Sequence, residues 1–190
     1  MAEKPHSGTQ LTVGQFYANH AEHLGLRLEG LSLGMNRPIR EPTINRPGLA
    51  LAGFYSYFAS RRIQVIGNSE LSYLRSLKAP MLAERCRELF SRKIPCLVVA
   101  RDANIPPVLL QRAAEFETPV FRTPMITMKF INAATIALEF EFAPTASEYG
   151  SMVDIQGIGV LIRGSSGIGK SECVLGLIER GYSLVSDDIT

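Results

Sequence analysis

Gly164-Ser165-Ser166-Gly167-Ile168-Gly169-Lys170-Ser171 fits G-x-x-x-x-G-K-[ST], the pattern of a loop that wraps a polyphosphate. At average residue usage a chance match in a chain of this length is rarer than about one in a hundred. The flanks extend the reading. Gly157 to Ile162 before the loop is an apolar, β-branched run, and Cys173, Val174, Leu175, Leu177 and Ile178 after it share one helical face that ends at Gly181. Strand, loop and helix are expected in that order. Gly164, Gly167 and Gly169 lack a Cβ, so the backbone can take positive φ and turn successive N–H groups toward phosphate oxygens. Lys170 is expected to set its ammonium against the β/γ-phosphates and Ser171 to offer its hydroxyl to Mg²⁺, with the positive end of the following helix behind them. Ser165, Ser166 and Ile168 complete the loop. The plainer alternative is a Gly/Ser-rich turn carrying an exposed lysine.

Downstream, Tyr182 to Ser186 reads as a short strand running into Asp187-Asp188. It is expected beside the P-loop strand, with both carboxylates at the carboxyl end, where open α/β sheets keep their sites. One of the pair can reach Mg²⁺ and the other can accept a proton from an attacking hydroxyl. An exposed acidic turn is the alternative.

Upstream, an amphipathic helix is expected near Thr12 to Leu24, followed by an irregular connection from Arg37 to Gly48 through Pro38, Pro42 and Pro47. Strands are then expected over 62–66, 96–100 and 120–121, alternating with helices over 69–77, 81–90, 107–116 and 125–140. Ser69 is read as an N-cap, and Pro107 as a first-turn residue. The fold class is α/β: a small parallel-sheet N-terminal domain followed by the start of a P-loop kinase domain. The expected segments are a flexible N-terminus 1–10, the N-terminal α/β domain 11–142, a hinge 143–150 and an incomplete P-loop domain 151–190. The N-terminal domain carries no chemical signature of its own. Arg61, Arg62, Arg101, Asp102 and Arg122 read as solvated charges at strand ends, the alternative being a ligand or partner surface, and oligomer contacts, effector sensing and a lost activity all remain open.

Composition excludes several classes. The 190 residues are 46% hydrophobic and 20% charged with a net charge of +2, so the chain is globular and shows no basic run for nucleic acid. Cys86, Cys96 and Cys173 lack C-x-x-C spacing, which points to a reducing, cytoplasmic compartment rather than to disulfides or zinc. His20 and His23 on one helical face have no second ligand cluster and read as surface or packing residues. No apolar run is long enough to span a membrane, and the first ten residues lack the apolar core of a signal peptide.

Taken together, Gly164 to Glu172, the run Gly176 to Gly181 and Leu184 to Asp188 resemble the bacterial HPr kinase/phosphorylase family. Asn45 to Phe54, Arg62 to Gly67, Ser69 to Ser72, Pro95 to Val99 and Ala143-Pro144-Thr145 are similar to that family's N-terminal half, so the resemblance spans residues 11 to 190. It implies a cytosolic, usually hexameric enzyme that uses ATP and Mg²⁺ to phosphorylate a serine of the phosphocarrier HPr. It also implies reversal by phosphorolysis and a place in the regulation of carbon metabolism. By the same resemblance Gly164 to Ser171 bind nucleotide, Lys170 is catalytic, Ser171 is a Mg²⁺ ligand and Asp188 is the base that takes the seryl proton. Asp187 is the second metal candidate. Tyr149-Gly150 stands where the family usually has His-Gly, and a phenol with a pKa near about 10 does not titrate around neutrality as imidazole does. The family continues past the position of Thr190 with a carboxylate metal ligand, a catalytic arginine and a segment tied to phosphorolysis, so the chain is expected to be a fragment. A unit of about 40 residues rarely folds alone, in keeping with this. A P-loop small-molecule kinase and a regulatory module that holds nucleotide without turnover are the competing readings.

Overall fold

In the computed structural model, which describes residues 10–144 and 148–187, the chain divides between Ala143 and Pro144 into two compact units. In the first, Thr12 starts helix α1 (Val13–Leu24). Its hydroxyl accepts a hydrogen bond from the Gln15 N–H (3.2 Å) while Gln15 Oε1 accepts one from the Thr12 N–H (2.9 Å), a reciprocal cap. There follow β1 (Arg27–Glu29), β2 (Ile44–Asn45), α2 (Gly48–Leu51), β3 (Ile63–Ile66), α3 (Asn68–Ser76) and α4 (Ala79–Ser91). The unit ends with β4 (Leu97–Val99), α5 (Pro107–Glu115), β5 (Val120–Arg122) and α6 (Thr127–Phe142). The sheet order is β1-β5-β4-β3-β2. Strands β2 to β5 run parallel, and β1 closes the edge antiparallel to β5.

Every residue of β3 and β4 is buried, as a parallel sheet with both faces covered requires. Ile63, Val65, Val98 and Phe121 pack with Val13 and Phe16 of α1 and Phe130, Ala134 and Leu138 of α6. Ile66, Leu97, Val99 and Val120 face the other way, onto Leu71, Leu74, Leu89, Phe90 and Leu109. The result is a central sheet between two helical layers. His20 joins α1 to α6 through Glu141 (2.8 Å).

Several local expectations change. The connection 37–48 contains β2, and β1 is a strand without sequence signal, because elements of two or three residues are too short to show a period of two. Three of the charges read as solvated also form ion pairs, Arg122 with Glu29 (3.0 Å), Arg62 with Glu41 (2.5 Å) and Asp102 with Arg27, while Arg61 and Arg101 are exposed. Two of these pairs tie β1 to its surroundings. Pro107 does begin α5, but α3 starts earlier than Ser69, with Gly67 at the N-cap. Glu70 supplies the cap by accepting from the Gly67 N–H (2.9 Å).

Buried polar groups are satisfied around β3. Gln64 donates to the carbonyls of Ala59 (2.9 Å) and Arg62 (2.8 Å) and accepts from Asn45 (2.7 Å). Glu70, also buried, receives two hydrogen bonds from Arg46, at 3.0 and 2.9 Å. Burial pushes the Glu70 carboxyl up, but the hydrogen bonds from Arg46 and the Gly67 N–H, with the Arg46 charge, outweigh it and hold the group below the usual carboxylate range.

The second unit is β6 (Ser151–Ile155), β7 (Ile158–Ile162), α7 (Lys170–Ile178) and β8 (Ser183–Ser186). Gln156 and Gly157, both at positive φ, form a two-residue turn that pairs β6 with β7. Strand β8 pairs antiparallel with β6 on its other side, giving the order β7-β6-β8. The expectation that β8 adjoins the P-loop strand is therefore corrected: the tight hairpin makes β6 the neighbour of β7. Of the face read on α7, only Val174 is buried, while Leu175 is 60% exposed. Cys86 and Cys96 are buried and Cys173 is exposed, all as free thiols. No helix among the described residues is long and apolar enough to cross a membrane.

Replacing Glu70 with Gln should destabilise the first unit by about 2–3 kcal/mol, since a buried charge-assisted pair is broken. Because the folded carboxyl titrates below its unfolded value near about 4.3, its stabilisation is present above that pH and lost as pH falls through the lower folded value. Urea unfolding of wild type and Glu70→Gln should therefore converge on acidification, and parallel curves at all pH values would refute the assignment.

Candidate phosphate-binding site

Strand β7 delivers the chain into the loop 163–169, and α7 leaves it at Lys170. Gly167 (φ 82°) and Gly169 (φ 97°) take the left-handed backbone that the phosphate reading requires. Gly164 does not, contrary to expectation. A Cβ there would lie 2.9 Å from Cγ2 of Ile168, an exposed side chain with room to turn aside. Gly169 is the N-cap of α7 and has no side chain to cap it, so the N–H groups of the first turn are left to an anion. Lys170 folds back over the loop, its Nζ donating to the carbonyls of Gly164 (2.9 Å) and Ser165 (3.0 Å). Ser165, Ser166 and Ile168 are exposed, as is Ser171 at the second helical position. The Lys170 ammonium and the uncapped first turn of α7 therefore meet at one loop.

Asp187 lies at the same end of the sheet. Ser151 pairs with Ile162, the last residue of β7, and the adjacent Met152 pairs with Ser186, the last residue of β8. Asp187 follows and accepts a hydrogen bond from the buried Ser151 hydroxyl. Two strand spacings, about 10 Å, separate β8 from β7 across β6. Asp188 lies outside the described residues.

A short segment before β6 borders the loop. Glu148 Oε2 is 3.0 Å from Arg163 Nη2, at the residue just ahead of the loop glycine. At Gly150 a Cβ would stand 2.7 Å from the Ile162 carbonyl oxygen, so only glycine lets the chain pass. Tyr149, between them, is 78% exposed. Ser151 and the steric need for Gly150 are the parts of the site that sequence reading missed. Ser151 is readable only in hindsight, as a hydroxyl on the strand face that also carries the buried Val153.

The donor set suits the expected ligands. Loop amides and an ammonium fit a polyphosphate, and the hard oxygens of Ser171 and Asp187 fit Mg²⁺, which takes one or two protein ligands beside phosphate and water. Comparison with known proteins agrees. The family described as HPr Serine kinase N terminus matches residues 11–138, and that described as HPr Serine kinase C-terminal domain matches residues 140–190. The chain belongs to the HPr serine kinase family. HPr kinase/phosphorylase from Clostridium perfringens (strain 13 / Type A) is 46% identical over 162 residues, covering 85% of this chain and 53% of the relative. That from Clostridium novyi (strain NT) is 43% identical over 164 residues, covering 86% and 53%. That from Chloroherpeton thalassium is 40% identical over 189 residues, covering 98% and 56%. The chain thus spans about half the length of the curated relatives it matches. Among solved structures, the CBS and DRTGG domains of the regulatory region of a C. perfringens pyrophosphatase align with a TM-score of 0.48 at 13% identity, covering 70% of this chain and 53% of that one.

In the full-length protein, Lys170→Ala should leave unfolding within about 0.5 kcal/mol of wild type, as exposed substitutions do, while calorimetry shows ATP binding weakened at least tenfold. Gly150→Ala should instead lower stability by about 1–3 kcal/mol, because the obstacle is the rigid Ile162 backbone. Unchanged ATP affinity in Lys170→Ala would remove the lysine from the site.

Proposed function

We propose that the full-length protein transfers the γ-phosphoryl group of ATP to a serine of the phosphocarrier HPr and reverses the transfer with inorganic phosphate. The observation that carries this is the convergence of uncapped loop amides, Lys170 and Asp187 at one end of β7-β6-β8. The relatives named HPr kinase/phosphorylase support it.

In this mechanism the amides of residues 164–171 and the Lys170 ammonium hold the transferring phosphoryl group in line with the attacking oxygen and offset its charge. Ser171 and Asp187 hold Mg²⁺, which when bound neutralises phosphate charge. Asp188 accepts the seryl proton as the new O–P bond forms and ADP departs. In reverse, an oxygen of inorganic phosphate attacks phosphoserine, the O–P bond to serine breaks to give pyrophosphate, and Asp188 returns the proton. The same reading makes the protein a cytoplasmic homo-oligomer, hexameric as the resemblance implies, that acts in the regulation of carbon metabolism.

Full-length protein incubated with ATP, Mg²⁺ and HPr should add one phosphoryl group to an HPr serine, seen by mass spectrometry. Asp188→Asn should depress the forward and reverse rates together by about 10²–10⁴. Tyr149→Phe should leave the pH profile unchanged between roughly pH 6 and 8. Unmodified HPr under all conditions, with ATP still bound, would exclude HPr as the substrate.

A further inference from the structure

Ser151 is a hydroxyl where the strand pattern calls for a hydrocarbon. It shares the buried face of β6 with Val153, and is itself only 5% exposed. A hydroxyl so placed is costly unless it finds a partner, and its partner is Asp187 Oδ1. The contact bridges strands: Ser151 begins β6 opposite Ile162 of β7, and Asp187 follows the last residue of β8. On the P-loop side the same short segment is held by the Gly150 backbone against Ile162 and by the Glu148–Arg163 ion pair. One stretch of four residues, 148–151, therefore touches both the entry to the loop and the first residue of the acidic pair.

The geometry points to Ser151 as a positioning residue. Its hydroxyl fixes the carboxylate of Asp187 through one oxygen and leaves the other for a Mg²⁺ ion carried in with the nucleotide. A carboxylate already held in one rotamer gives up less freedom when it engages the cation, and it engages in one geometry. The inference rests on the phosphoryl-transfer reading of the site.

The test compares Ser151→Val with Ser151→Thr in the full-length protein. The two side chains have the same shape and differ in the hydroxyl, so crowding beside Val153 affects both alike. Three quantities are read: the Mg²⁺ concentration for half-maximal ATP binding by calorimetry, kcat and KM for HPr phosphorylation, and the thermal unfolding midpoint. Ser151→Val should raise the Mg²⁺ midpoint several-fold and lower kcat about tenfold, with KM for HPr within about twofold of wild type. Ser151→Thr should sit near wild type in both. Equal Mg²⁺ midpoints in the two variants would overturn the assignment, and so would equal loss of kcat together with equal loss of thermal stability. If the wild type binds ATP with Mg²⁺ but leaves HPr unmodified, the HPr reading fails while the Mg²⁺ midpoints still decide the role of Ser151.

Discussion

Strand β6 carries no residue of the phosphate loop and neither member of the acidic pair, yet the arrangement of the site depends on it. It pairs antiparallel with β7 on one side and with β8 on the other. Two strands that are each antiparallel to a third must run parallel to each other, so their carboxyl ends emerge at the same edge. That edge holds the P-loop and Asp187. The turn at Gln156-Gly157 sets the register, and a slip of one residue would turn Ser151 and Val153 away from the buried face. The placement of the loop and that of Asp187 are thereby coupled through backbone hydrogen bonds.

The two units solve burial differently. In the first, both faces of the sheet are covered by helices and the central strands β3 and β4 are fully buried, so a polar residue inside needs partners of its own. Gln64 and Glu70 are the clearest cases. Each gathers the chain around β3: Gln64 holds Asn45 and the carbonyls at 59 and 62, and Glu70 holds Arg46 and the start of α3. In the second unit the described strands and helix leave Leu175, Ile158 and Val185 largely exposed. A three-stranded sheet with one helix has too little surface to cover them.

On the proposed reading, the loop is held ready for phosphate. Its helix has no side-chain cap, so the positive end is not already satisfied. Lys170, meanwhile, is held by two loop carbonyls rather than by a carboxylate. Carbonyl partners are neutral, so an incoming phosphate can outcompete them for the ammonium without first breaking an ion pair.

What the sequence determined was local. The G-x-x-x-x-G-K-S spacing set the strand, loop and helix around residues 164–171, and the 3.6-residue period marked α1 and α3 to α6 to within a few positions, because backbone propensity and capping act over one or two turns. The candidate residues of the loop could be named for the same reason, since they adjoin in the chain. Tertiary structure decided what depends on distant partners. The edge strands β1 and β2 are too short to be read alone, and the cap of α3 came from Glu70 rather than Ser69 because Arg46 and Gly67 meet there. The neighbour of β8, and with it the hydroxyl that holds Asp187, follows from strand pairing, which joins residues 36 positions apart and leaves no periodic trace in either segment.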